Sequence, residues 1–266
     1  MTSITQTLPI TLFPEFDFDQ SAATTFGLSL AKAYVQATPF PHIIIDNFLP
    51  RDLIASICAH FPSEQVRNEI LYERGYKGHH KRQISPSDCT PYLRTVFNAF
   101  NSSPMLQFLE KLTGIEGLIS DPYFIGGGLH ETRKGGSLGV HSDFRINKKL
   151  NIERRLNAII YLNEDWHEDY GGHLEFWDLD MNTCLKKILP IYNRCVIFNT
   201  DKDSNHGHPE PLTTPQHITR RSIALYYYTS APVTANATQR NQTHYKPRPQ
   251  DRLSIQYHWR KLFRKN

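Results

Sequence analysis

Gly171-Gly172-His173-Leu174-Glu175-Phe176-Trp177 sets a Gly-Gly turn before an alternating run in which Leu174 and Phe176 share one face. Period two over so short a stretch, opened by turn residues, predicts a half-buried β-strand. The pattern recurs on either side of it. Leu156–Leu162, Cys195–Asn199 and Ser222–Thr229 are short apolar runs of the same kind, with Gly, Asn and Asp between them. Several short strands punctuated in this way predict a barrel or sandwich that begins after Gly114.

Upstream the period changes. Phe26, Leu30, Ala33 and Tyr34 fall at helical spacing between Ser21 and Gln36, and Pro39 and Pro41 end that helix before the strand-like Ile43-Ile44-Ile45. Pro50-Arg51-Asp52 opens a second helix running to about Phe61. Leu93–Phe100 and Met105–Leu112 predict two more, broken by Ser103-Pro104. The first 115 residues therefore read as mostly helical, with a long loop from Glu64 to Pro86. Within it, Lys77-Gly78-His79-His80-Lys81-Arg82 reads as solvated, a flexible lid or phosphate loop being the sharper alternative.

The resulting fold class is mainly β with a helical N-terminal part (α+β). Residues 1–115 form a helical portion packed on the barrel, 116–230 the barrel core, and 231–266 a polar, basic C-terminal extension, all within a single overall domain. A hydrophobic fraction of 39% over 266 residues is sufficient for a substantial core. The net charge of +4 is scattered along the chain, so no strong nucleic-acid signal arises. No apolar run reaches membrane length, and no basic segment followed by an apolar one opens the chain, which predicts a cytoplasmic protein. Cys58, Cys89, Cys184 and Cys195 form no C-x-x-C pair and read as reduced thiols.

His141-Ser142-Asp143 falls at the end of a predicted strand, where residues i and i+2 face the same way, so imidazole and carboxylate can share a metal. After the strand Cys195–Asn199 comes Asn205-His206-Gly207-His208-Pro209, which offers a third ligand from either His206 or His208. Two imidazoles and one carboxylate on one octahedral face leave three positions open, the arrangement of non-haem Fe(II) oxygenases. A bidentate 2-oxo acid and dioxygen would fill those positions, and the far carboxylate of the acid would then need a cation. Arg220 and Arg221 open the strand Ser222–Thr229, and alternation sends only one of them inward. Taken singly, an H-x-D, a His beside a Pro or a strand-initial Arg is commonly an unremarkable surface feature. Their order and spacing along the chain carry the argument.

The same residues resemble the prolyl 4-hydroxylase-like branch of the 2-oxoglutarate and Fe(II)-dependent dioxygenases. The resemblance runs from about Pro122 to Thr229, through Gly126-Gly127-Gly128-Leu129-His130, Val140-His141-Ser142-Asp143-Phe144, Tyr161-Leu162-Asn163-Glu164-Asp165-Trp166 and the Gly171-Gly172-His173-Leu174 turn. It implies a double-stranded β-helix (jelly-roll, cupin-like) barrel, with His141, Asp143 and His206 as iron ligands. It further implies Arg220 on the 5-carboxylate of 2-oxoglutarate, with Tyr161 and Asn157 donating hydrogen bonds to its carboxylates. His130 stands where the prolyl hydroxylases carry a cofactor-touching Tyr, and its alternative is a wall of the substrate pocket. The cofactors implied are Fe(II), 2-oxoglutarate and O2, with ascorbate as reductant. The implied reaction is hydroxylation of a C–H bond, of a prolyl residue in a peptide or protein, with release of succinate and CO2. The alternatives are an oxygenase acting on a free amino acid, glycan or lipid precursor, an isomerase or hydrolase using another divalent metal, and a non-catalytic metal-binding jelly-roll. Only the oxygenase readings require the arginine downstream of the distal histidine.

Overall fold

The long strands have two buried faces, and this divides the interior in two. The computed structural model describes residues 3–12, 14–200, 203–231 and 242–251. In chain order its principal elements are α1 (Gln20–Val35), β1 (His42–Asp46), α2 (Arg51–Ala59), β2 (Ile70–Tyr72), β3 (His79–Ile84), α3 (Pro91–Phe100) and α4 (Ser103–Thr113). There follow β4 (Gly128–Ser142), β5 (Ile152–Tyr161), β6 (Leu174–Trp177), β7 (Cys184–Ile188), β8 (Cys195–Asn199), β9 (Asn205–His208) and β10 (Arg220–Ser230).

β4 is 15 residues long and serves two sheets. Its first half lies between β10 and β3, and its second half pairs with β9. The larger sheet is ordered β1-β8-β5-β10-β4-β3-β2 and the smaller β4-β9-β6-β7, with antiparallel pairing between these neighbours. This curled, mainly β architecture is the expected jelly-roll, with few helices.

Register decides which residues meet. Leu156, Ala158 and Ile160 of β5 stand opposite Tyr227, Leu225 and Ile223 of β10. These six turn to the helices and join Phe26, Leu30, Phe108 and Leu112 in the large core. Their neighbours turn the other way, between the sheets, where Tyr161, Val196, Phe198, Leu174, Phe176 and Phe40 form a smaller core.

Local chemistry sets the helix ends. The Asp19 carboxylate accepts from the Ala22 amide at 2.9 Å to cap α1, and Thr90 caps α3 at the Leu93 amide. Pro104 sits in the first turn of α4, and Gly114 ends that helix in the left-handed region at φ 71°. Gly27 lets α1 and α4 approach closely, since a Cβ there would lie 2.3 Å from the Phe108 carbonyl oxygen.

The first 115 residues are less helical than their sequence suggests, because β1, β2 and β3 all enter the larger sheet. The correction falls mainly on the segment read as a solvated loop. From His79 it is strand β3, paired with β4, and Lys81, Arg82 and Gln83 are buried. An ion network replaces hydrophobic patterning there. Arg82 reaches Glu131 at 2.6 Å and Glu69 at 3.1 Å, and donates to the carbonyls of Pro62 and Glu64. Such a strand has no apolar alternation to betray it. Of the C-terminal extension, 232–241 and 252–266 lie outside the described residues, while His244–Tyr245 pairs with the end of β4. Among the described residues no helix is long and apolar enough to cross a membrane. The four cysteines are free.

Glu131 also receives Arg221 at 2.9 Å and the Thr219 hydroxyl at 2.6 Å. Glu131→Ala strands Arg82 without its nearest counter-charge, and we expect it to lower unfolding stability by about 3–5 kcal/mol. Arg221→Ala removes a more exposed partner, and its loss should be at most about 1 kcal/mol. Urea unfolding of the two variants checks the ranking, and equal losses would refute it.

Candidate active site

β4 and β9 place His141 and His206 directly opposite each other across the smaller sheet. Each ring is fixed by a backbone carbonyl two residues back: the Nδ1–H of His141 donates to Gly139 at 2.9 Å, and that of His206 to Ser204 at 2.9 Å. With Nδ1 as the donor, each Nε2 keeps a lone pair for another partner. Both Nε2 atoms face Asp143, at 3.7 Å for His141 and 3.6 Å for His206. Those separations are too long for hydrogen bonds. One ligand atom from each of the three residues lies within 4.8 Å of the others, and all three side chains are buried.

The protonation states suit a metal. Burial, and then the neighbouring His206, lower His141 to about 4, and burial likewise lowers His206. Burial pushes the Asp143 carboxyl up, but Arg154 and then the two imidazoles outweigh it and hold the group at about 2. Two neutral imidazoles and an ionised carboxylate are ready to coordinate without first losing protons. The donor set and its fixed tautomers therefore fit a divalent ion such as Fe(II).

Asp143 is held from behind. The Asn157 amide donates to its Oδ2 at 2.8 Å, and Arg154 lies 3.1 Å from the same oxygen. Arg154 Nε also donates to Asn157 Oδ1 at 2.9 Å. Residues three apart on a strand normally face opposite ways, but a register shift between Arg154 and Leu156 brings Arg154 to the Asn157 side. Its guanidinium carbon lies 3.3 Å from the centre of the Tyr226 ring.

Further along the inner face, side chains from three strands stand in rows. Arg220 of β10 is opposite Thr132 of β4, which is opposite Lys81 of β3; Ser222, His130 and Gln83 form the next row. Arg220 donates to the Gly172 carbonyl at 2.8 Å and to the Tyr161 hydroxyl at 3.3 Å. Arg221 points to the opposite face and Glu131, so alternation separates the two arginines. Gly172, at φ 68°, is required twice over, because a Cβ there would also lie 3.0 Å from Arg220 Cδ. His130 accepts from Lys81 at Nδ1, 2.6 Å away, and its Nε2–H donates to the Gly126 carbonyl at 3.0 Å. His208 is two residues beyond His206, buried, with both ring nitrogens unpartnered. Lys81, His130, His208 and Arg220 line one cavity together with the His141, Asp143 and His206 triad.

Residues 127–228 match the family model of the 2OG-Fe(II) oxygenase superfamily. Over this span the barrel is similar to 2OG-Fe(II) oxygenase domains. The chain is 32% identical over 79 residues to the prolyl 3-hydroxylase OGFOD1 of Mus musculus, covering 28% of this chain and 14% of that protein. Among solved structures, the chain is similar to a prolyl hydroxylase from Trichoplax adhaerens, in complex with a peptide fragment of the hypoxia inducible factor oxygen degradation domain. That match has a TM-score of 0.56 and 17% identity, over 78% of this chain and 91% of that one. A prolyl 4-hydroxylase from Phytophthora capsici gives a TM-score of 0.53 and 17% identity, over 96% of this chain and 79% of that one. These structural likenesses establish the shared fold.

Of the residues singled out from sequence, the barrel brings His141, Asp143 and His206 together and places Arg220, Tyr161, Asn157 and His130 on the same inner face. Asn157 meets Asp143 and Arg154, so its amide is already engaged. Lys81, Arg154 and Tyr226 went unrecognised as pocket residues. Tyr226 is one of three adjacent tyrosines in the strand Ser222–Thr229, Arg154 reaches the pocket only through a register shift, and Lys81 lies in a polar run without apolar alternation.

If the triad holds the metal, Asn157→Ala should weaken Mn(II) binding about 10- to 100-fold, the usual cost of losing a group that orients a ligand. A calorimetric titration reads this directly; unchanged affinity would show that Asn157 does not support the carboxylate.

Proposed function

We propose that this chain is a 2-oxoglutarate- and Fe(II)-dependent oxygenase that hydroxylates a C–H bond of a prolyl residue in a peptide or protein. His141, Asp143 and His206 are the metal ligands in this reading. The observation that carries it is the convergence, on one inner face, of that triad with the buried Arg220. Among the described residues Arg220 has no carboxylate partner, and a buried charge calls for one. A purely structural ion would need no such cation nearby.

Bound at the triad, Fe(II) supplies the dioxygen activation that couples decarboxylation of 2-oxoglutarate to succinate with oxidation of the substrate. The protein does the rest. Arg220 takes the distal carboxylate in the bidentate manner a guanidinium favours, and the Tyr161 hydroxyl adds a donor beside it. Asn157 and Arg154 keep Asp143 ionised and oriented. Barrel walls of Ile159, Leu174 and Ala224 limit water at the reacting centre. Ascorbate serves as the reductant that maintains the ferrous state.

A peptide substrate is supported by the pocket's surroundings and by the relatives. The Tyr226 hydroxyl donates to the Gly126 carbonyl, in a loop that exposes Tyr123 and Ile125. Exposed apolar side chains next to a buried polar pocket suit a chain that inserts one residue. One relative is named a prolyl 3-hydroxylase, and one structural neighbour holds a peptide fragment.

The test is succinate formation by the purified protein with Fe(II), ascorbate, O2 and 2-oxoglutarate, with and without proline-containing peptides. Turnover should vanish in His206→Ala and on metal chelation. In Arg220→Ala the KM for 2-oxoglutarate should rise about 10- to 100-fold. A wild-type protein that binds metal and 2-oxoglutarate but forms no succinate with any peptide would overturn the assignment.

A further inference from the structure

Lys81 is a buried cation for which the reading above has no use. It is 8% exposed, and its hydrogen bond goes to His130 Nδ1, a neutral acceptor whose other nitrogen is spent on the Gly126 carbonyl. Among the described residues no carboxylate lies within ion-pair distance of it. Buried ammonium groups are ordinarily paired, because an uncompensated charge in a low-dielectric interior costs several kcal/mol.

Its position follows from register. Lys81 and Arg220 flank Thr132 in one inward-facing row, on strands that sit two spacings apart, about 10 Å. Both have long side chains that can converge on a point between them. His208 faces the same cavity with two unpartnered nitrogens. The cavity's one lining carboxylate, Asp143, is already matched by Arg154. The end of the cavity away from Arg154 thus gathers donors and positive charge, with no carboxylate of its own among the described residues.

We propose that Lys81 is the second arm, beside Arg220, of the site that grips the distal carboxylate of 2-oxoglutarate. The proposal rests on the functional reading above and extends its carboxylate clamp to a strand outside residues 127–228. Burial, and then Arg220, bring Lys81 down to about 7, so an arriving carboxylate stabilises the charged form that burial disfavours. His130 positions the ammonium group by accepting a hydrogen bond from it at Nδ1.

The test uses the full chain with Mn(II) in place of iron, under nitrogen, and calorimetry with two ligands. One is 2-oxoglutarate; the other is 2-oxopentanoate, which has the same chain length but no distal carboxylate. Lys81→Met preserves side-chain length and packing, and Mn(II) affinity together with circular dichroism verifies its fold. The expected result is a loss of 2-oxoglutarate affinity of about 10- to 100-fold, that of a buried charged hydrogen bond, with 2-oxopentanoate affinity unchanged. Lys81→Arg should recover part of that loss. Equal weakening of both ligands, or of neither, would overturn the role of Lys81 and leave the oxygenase reading standing. A wild-type protein that binds Mn(II) but not 2-oxoglutarate would overturn both.

Discussion

Cross-strand register along β4 is the constraint on which the site depends. Its second half sets His141 opposite His206, while its first half sets Thr132 opposite both Arg220 and Lys81. A slip of one residue in either pairing would turn these groups to the other face of the sheet. The triad and the cationic end of the cavity are thus spaced by the backbone of a single bent strand.

The barrel was legible because its inner strands obey simple alternation. Leu156, Ala158 and Ile160 on one face of β5, and Leu174 and Phe176 on β6, are apolar at period two and bury as that pattern requires. The helices were legible from the helical spacing of Phe26, Leu30, Ala33 and Tyr34 and from the break at Ser103-Pro104, which separates α3 from α4. His141, Asp143 and His206 stood out because H-x-D and a later histidine are informative when strands separate them. Arg220 could be narrowed to one of two residues and no further, since choosing the inward member requires the register with Thr132.

What escaped the sequence escaped for physical reasons. Lys81 and Arg82 sit in a run of polar residues, where burial is driven by pairing with groups distant along the chain: His130 and Glu131 lie 49 residues away. Arg154 enters the pocket through an extra residue in β5, a local irregularity that composition does not encode. Tyr226 looked like its neighbours Tyr227 and Tyr228. Tyr227 donates to the Phe100 carbonyl and Tyr228 to Asp121, both away from the cavity. Three adjacent tyrosines thus have three different surroundings.

The placement of β3 has a thermodynamic consequence. Strands such as β5 and β8 are held in register by apolar side chains, whose burial does not respond to protons. β3 offers little apolar surface beyond Ile84, so its register is fixed chiefly by charge, through Arg82 and Glu131. Burial alone would push the Glu131 carboxyl up, but Thr219, Arg82 and Arg221 outweigh it and hold the group below its ordinary range. The stabilisation it provides is therefore complete above the unfolded carboxyl's titration and fades as the pH falls through the lower folded value. On acidification the barrel should come apart unevenly, with the edge bearing Lys81 loosening as a separate cooperative unit while the apolar strands persist.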